Sequence, residues 1–208
     1  GRLCRGCAGR GRRRGFQNAN GGNSSGITDT ARGIESADGD HLEEFGGDGG
    51  MKLTDVCEFI VDCPHSTALD EGRGYPLIRT PNIGKGRLLL ENVHRVSEKV
   101  YQERIQRGQP QDGDLIFARE APAGNVAIIK NGEKVCLGQR TVLIRPNKDK
   151  VNSTFLAYYL LAPKQQNGLL GSANGSTVPH VNLPTIRNLE ISLPSLEKQV
   201  TTASIIES

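Results

Sequence analysis

Between positions 112 and 145 apolar residues come in short runs, 115–118, 126–129, 135–137 and 141–144, and each run is preceded by a breaker. The breakers are Gly113-Asp114, Pro122 with Gly124, Asn131-Gly132, and Gly138. Short β-branched runs punctuated by Gly, Asn and Pro predict consecutive strands joined by turns. Asn-Gly suits a two-residue turn, whose central residues both need positive φ. The pattern predicts a curved antiparallel meander at the heart of one small domain. Arg119, Glu120, Gln139 and Arg140 then sit where strands meet loops.

The flanking segments change period. Leu53, Val56 and 59–61 predict a turn and a strand, and 75–79 a strand that Pro76 assigns to a sheet edge. Residues 81–86 read as a turn, with 87–90 and 93–96 as further short strands. Ser97 is the expected cap of a helix over 98–107, with Tyr101 and Ile105 on one face and Gly108 ending it. Beyond the meander, Asn152 or Ser153 caps a helix over 154–161 that Pro163 stops, and a second helix covers 164–170. A polar loop follows at 171–177, then one helical turn at 182–186 and a strand at 189–193. A last helix opens at Pro194-Ser195, and Leu196, Val200, Ala203 and Ile206 recur on one of its faces, close to a coiled-coil seam. The expected fold class is α+β: one domain with a curved, mainly antiparallel sheet and flanking helices, running into the start of a long C-terminal helix.

Residues 1–50 follow no such pattern. They hold 14 of the 26 Gly, seven Arg, seven acids and no Lys. So little apolar surface cannot offset chain entropy, so a disordered leader is expected, upstream of a domain over 51–194 and a helix start over 195–208. The only Met is Met51, and the leader reads as a translated upstream stretch rather than as a functional arm. Cys4 and Cys7 are not followed by a second pair at zinc spacing.

Composition narrows the function. The 208 residues are 36% hydrophobic with net charge +3, so anion binding must come from where charge lies and not from its total. The longest apolar run, 155–162, is too short to span a bilayer, so no membrane association is expected. Five Cys without a disulfide-framework spacing fit a reducing, cytoplasmic setting.

Basic and amide side chains gather in the predicted loops. They are His65, Ser66 and Thr67; Arg79, Lys85 and Arg87; Arg119, Gln139 and Arg140; Lys164 and Gln165; Asn174, Ser176 and His180. Arg and Lys suit guanine edges and phosphates, and Gln and Asn suit adenine edges. As a set they point to double-stranded DNA. Cys57, Cys63 and His65 fall short of the four ligands of a structural zinc site, and one loop gives no thiol–base geometry. No Pro-Pro pair for an amino-methyltransferase loop and no Walker loop occurs, so no cofactor is expected. The enzyme alternative is a metal-dependent nuclease built on Asp112, Asp114, Glu120 and Lys130, although Ala121-Pro122 breaks the Glu-x-Lys spacing. The other alternative is a protein-interaction module using the last helix.

Five stretches in order carry a resemblance: KLTDVCEFIVDCPHST, YPLIRTPNIGKG, DGDLIFAREAPAGNVAII, LGQRTVLIRPN and GSTVPHVNLPTIRNLEISLPSLEKQ. Together they resemble one target-recognition domain of a type I restriction-modification specificity subunit, over residues 51–208. One departure is Ala123 before Gly124. The resemblance implies a non-catalytic DNA reader. Each such domain reads half of a split site, long helices set the spacing, and methyltransferase and restriction subunits carry the chemistry. The family pattern has two recognition domains, so this chain is expected to be a half, a fragment, or a subunit that pairs with a second domain or copy through its C-terminal helix.

Overall fold

Every residue of the run 115–118 is buried, although neighbouring side chains on a strand point to opposite faces. Such a strand needs cover on both sides. The computed structural model, which describes residues 50–171 and 180–208, shows what supplies it. The leader 1–49 and the loop residues Asn174 and Ser176 lie outside the described residues.

In chain order the strands are β1 Met51–Lys52, β2 Cys57–Asp62, β3 Tyr75–Ile78, β4 Gly86–Arg87, β5 His94–Val96, β6 Leu115–Ala118, β7 Val126–Ile128, β8 Cys136–Leu137, β9 Thr141–Pro146 and β10 Glu190–Ile191. The helices are α1 Glu98–Arg104, α2 Ser153–Leu161, α3 Pro163–Gly171, α4 Leu183–Arg187 and α5 Leu196–Glu207. Five strands form one sheet in the order β2-β9-β6-β7-β4, three form a second, β5-β3-β8, and β1 pairs with β10. Most pairings are antiparallel; β3-β8 and β4-β7 are parallel.

The five-stranded sheet is covered on both faces. Leu115 and Phe117 of β6 pack with Leu156 and Leu160 of α2, Leu169 of α3 and Ile186 of α4. Ile116 and Ala118 pack the other way, onto Ile78 and Leu137 of the second sheet and Val135 just before β8. A third cluster joins Leu77, Val96, Tyr101 and Cys136 under α1. Among the described residues no helix is long and apolar enough to cross a membrane.

The meander holds only in part. β6 and β7 form the expected antiparallel pair, and β9 lies antiparallel on the other side of β6. Asn131 and Gly132 do turn with φ of 60° and 65°. Yet the strands that flank this turn part, and β8 joins β3 in parallel. Crossing over lets Val135 and Leu137 bury against the far face of the first sheet. That burial outweighs a local hairpin.

Other expectations shift for local reasons. Pro76 lies in the central strand of its sheet and not at an edge. Pairing with β8 begins only at Leu77, so the missing N–H of Pro76 breaks no bond on that side. Ser97 occupies the cap position of α1, but its hydroxyl donates to Glu71 Oε1 at 2.9 Å and does not cap the helix. α1 ends at Arg104, short of 107. The strands expected at 87–90 and 189–193 shrink to β4 and β10. Asn152 is the cap of α2, its Oδ1 accepting from Phe155 N at 2.9 Å, and Pro163 opens α3 where α2 stops.

α5 is tied to the domain through Gln199. That side chain is 1% exposed, accepts from Asn152 N at 3.0 Å and donates to Pro194 O at 2.9 Å. Of the expected seam only Ala203 turns inward; Leu196, Val200 and Ile206 stay exposed.

Asp114 is a buried charge of the core. Arg145 grips it with both ends of its fork, Nε to Oδ1 at 2.9 Å and Nη2 to Oδ2 at 2.7 Å, and stacks over Phe59. The carboxylate hydrogen bond raises the Arg145 pKa above its usual value. Replacing Arg145 with Met strands a carboxylate that is 3% exposed. The expected loss is about 3 kcal/mol in urea unfolding. A loss below ~1 kcal/mol contradicts this role, whereas the double change Asp114→Leu with Arg145→Met should recover much of it.

Candidate nucleic-acid interface

Strand register brings the predicted loop residues to one end of the sheets. β2 pairs Asp62 with Val142 of β9, and β6 pairs Ala118 with Thr141. The next residues along, Cys63, Arg119 and Arg140, therefore emerge side by side. The ladder runs one step further through Arg119 N to Arg140 O at 2.9 Å and Cys63 N to Thr141 O at 3.1 Å. In the second sheet Ile78 pairs with Leu137, which puts Arg79 beside Gly138 and Gln139. Gly138 must be glycine here: its N–H donates to Ile78 O at 2.7 Å, and a Cβ would meet Arg79 Cγ at 2.7 Å.

A chain of charged contacts crosses this end. Arg119 Nη1 lies 2.7 Å from Asp62 Oδ2, its Nε donates to Val181 O at 2.9 Å, and its Nη2 sits 3.1 Å from His180 Nε2. His180 Nδ1 lies 3.0 Å from Glu120 Oε1, and Glu120 Oε2 lies 2.7 Å from Arg140 Nη1. His65 Nε2 approaches Asp62 Oδ2 at 3.5 Å, and its carbonyl accepts from Gln139 Nε2 at 2.8 Å. Five residues expected in the DNA face are thus in one network: His65, Arg119, Gln139, Arg140 and His180. Arg79 and Thr67 join Gln139 and Arg140 in lining a cavity of about 240 Å³ beside it. Ser66 is exposed between them, with its carbonyl held by Arg104.

The network ranks its members. The Arg119 side chain is 13% exposed and fully engaged, so it positions the face from below and is not a free reader. Arg140 has φ of 64° and a side chain 62% exposed, so it projects outward. His65 is 71% exposed.

Other predicted residues lie elsewhere. Lys85 and Arg87 flank Gly86 at the far edge strand, where Gly86 backs onto Tyr158 of α2. Lys164 is exposed at the start of α3. Gln165 is buried at 7% exposure, so the expectation that it meets a base edge fails: it faces the core from the inner side of α3. Its neighbour Gln166 also turns inward, donating to Gly124 O and Leu160 O.

Arg104 is a residue of the site that sequence reasoning missed. It is 5% exposed on α1 and donates to Leu137 O at 2.9 Å and Ser66 O at 2.7 Å, pinning the His65–Thr67 loop to β8. The signal was its spacing from Tyr101 and Ile105, which places it on the buried face. Asp70 and Glu71 fasten the next loop. The Arg95 and Gly72 N–H groups hold the Asp70 carboxyl below its usual pKa, and the Ser97 N–H and O–H do so for Glu71.

Catalytic readings lose their geometry. Burial pushes the Cys57 thiol up to about 12 and raises that of Cys63, which suppresses the reactive thiolate. Asp114 is locked to Arg145 at the start of β6, whereas Glu120 lies past its other end. Among the described residues no three His, Cys, Asp or Glu side chains are grouped to hold a metal.

Arg119→Met and Arg140→Met should therefore separate. The first strands Asp62 at 14% exposure and frees Val181 O, with an expected loss of roughly 2 kcal/mol or more. The second breaks an exposed pair and should cost less than about 1 kcal/mol. Thermal unfolding of the two variants checks this; equal midpoints contradict the assignment of Arg119 as a support.

Residues 50–208 match the family described as the type I restriction modification DNA specificity domain. The type I restriction enzyme MjaIX specificity subunit of Methanocaldococcus jannaschii is 29% identical over 160 residues, covering 74% of this chain and 36% of the relative. The EcoBI specificity subunit of Escherichia coli is 24% identical over 126 residues, covering 61% and 26%. The chain thus spans only about a third of the length of such relatives. Its fold is shared with the HsdS subunit from Thermoanaerobacter tengcongensis, at a TM-score of 0.52 and 22% identity over 78% of this chain and 38% of that one. A structure described for complex assembly and conformational transition of the type I R-M system gives a TM-score of 0.53 at 22% identity, with 78% and 39% covered. On the match over 50–208, this chain belongs to the type I restriction-modification DNA specificity domain family.

Proposed function

We propose that this domain reads double-stranded DNA, as the non-catalytic specificity component that directs methyltransferase and restriction subunits to one half of a split site. The observation that carries this is the convergence of His65, Thr67, Arg79, Gln139, Arg140 and His180 at one end of the two sheets, on loops from separate segments of the chain. Loops on a rigid scaffold are where readers carry their specificity. Arg140 and Gln139 are the foremost candidates for base edges, since both stand at the tip of one turn. Ser66, Lys85, Arg87, Lys164, Asn174 and Ser176 are assigned to flanking contacts, and Arg119 to support.

The recognition unit is placed at 51–194, with 195–208 as the start of a spacer helix. The exposed Leu196, Val200 and Ile206 suit a second recognition domain or a second copy along that helix. No cofactor is assigned to this chain, and work on DNA places it in the cytoplasm with its partners.

The test begins with selection from a random duplex pool by the full chain assembled with its methyltransferase partners. Gln139→Ala and Arg140→Ala are then titrated against the selected duplex and single-base mismatches at several salt concentrations. Removing a side chain that meets a base should cost ~1–3 kcal/mol on the selected site and relax choice at one base pair. Removing one that meets a phosphate should weaken all duplexes alike and flatten the salt slope by about one. Parent-like binding by both variants, on every duplex and at every salt, would falsify this face.

A further inference from the structure

Two guanidinium groups beside the reading face have no ion-pair partner among the described residues. Arg79 and Arg104 both line the 240 Å³ cavity, together with Thr67, Thr80, Gln139 and Arg140. Arg104 is 5% exposed and its two Nη groups meet only carbonyls, those of Leu137 and Ser66. The Arg79 guanidinium has no hydrogen-bond acceptor among the described residues, and Asp70 feels its charge only at longer range. The Nε atoms of both are buried without a partner. Arg140 is neutralised by Glu120, and no carboxylate among the described residues lines the cavity.

A cation this buried is costly unless an anion completes it. Arginine forks match the oxygens of a tetrahedral phosphate. The hydroxyls of Thr67 and Thr80 add neutral donors at the wall. Elsewhere in the fold each comparable Arg is already satisfied: Arg145 by Asp114, and Arg187 by Ile60 O through both Nε and Nη2. The Arg79–Arg104 cavity is the exception among these.

We propose that this cavity is a phosphate seat, which takes a backbone phosphodiester of the DNA lying across the His65–Arg140 face. This rests on the DNA-reading function above and adds a division of labour. Arg79 and Arg104 fix the register of the duplex without reading sequence, and Gln139 and Arg140 read beside them. An incoming oxygen meets the Arg79 Nη edge first, and a small rotation of that flexible side chain then brings its Nε into the bond.

The test follows the Nε–H resonances of the full chain by NMR, with Arg79 and Arg104 assigned through Arg79→Gln and Arg104→Lys. Arg145 and Arg187 are internal controls because their Nε groups are already bonded. Inorganic phosphate and a short mixed-sequence duplex are titrated separately at low salt. The expected result is a saturable downfield shift at Arg79 and Arg104 with both, none at the controls, and roughly tenfold weaker phosphate binding in Arg79→Gln. If phosphate moves these two resonances while the duplex moves only others, such as those of Gln139 and Arg140, the cavity takes a free anion and the DNA assignment of the seat is overturned. If the duplex perturbs the face and neither ligand moves the two Nε groups, the seat is wrong and the DNA reader stands. If the duplex perturbs nothing, the reading function falls and this proposal with it.

Discussion

Arg119 holds the face together. Its guanidinium joins Asp62 at the end of β2 to Val181 and His180 ahead of α4, and its own backbone continues the β6-β9 ladder to Arg140. Val181 N in turn donates to Arg119 O at 2.9 Å. Segments far apart in sequence therefore meet at one side chain. With Asp62 only 14% exposed, losing Arg119 leaves that desolvated carboxylate without its closest cation. The outward residues, Arg140 and His65, are placed by this inner contact. A reader of DNA gains from that rigidity, because misplaced donors lose both affinity and discrimination.

The same end of the molecule is poor ground for catalysis. Its acids, Asp62 and Glu120, are each held by arginine and histidine and not gathered around a vacant position. The acid before β6, Asp114, is buried under Arg145 as a structural pair. Charge at the face is therefore balanced by ion pairs, except at Arg79 and the buried Arg104 beside it. That distribution gives a basic contact surface to a chain whose net charge is only +3.

Much of this was legible in the sequence where local rules act. Asn152 capped its helix, Asn131-Gly132 turned with positive φ, and Pro163 marked the break between α2 and α3. Arg119 and Arg140 at strand ends were correctly brought together, because their register follows from antiparallel pairing of β6 with β9. What stayed hidden depends on burial between distant segments. β8 left its hairpin to join β3 because the second sheet offers Val135 and Leu137 a core. Pro76 entered a central strand because pairing with β8 starts one residue later. Gln165, expected at the DNA face, is buried, while Arg104, which was not singled out, pins the loop below it. No spacing rule distinguishes a buried amide from an exposed one.

The most direct measurement of a single DNA face is hydrogen–deuterium exchange of the full chain with and without a selected duplex. Protection should concentrate in residues 63–67, 79–82 and 138–140, where backbone amides lie under the proposed contact. Helix α5 should exchange as in the free chain. Protection confined to α5, with 63–67 and 138–140 unchanged, contradicts the assignment and moves the contact to the last helix.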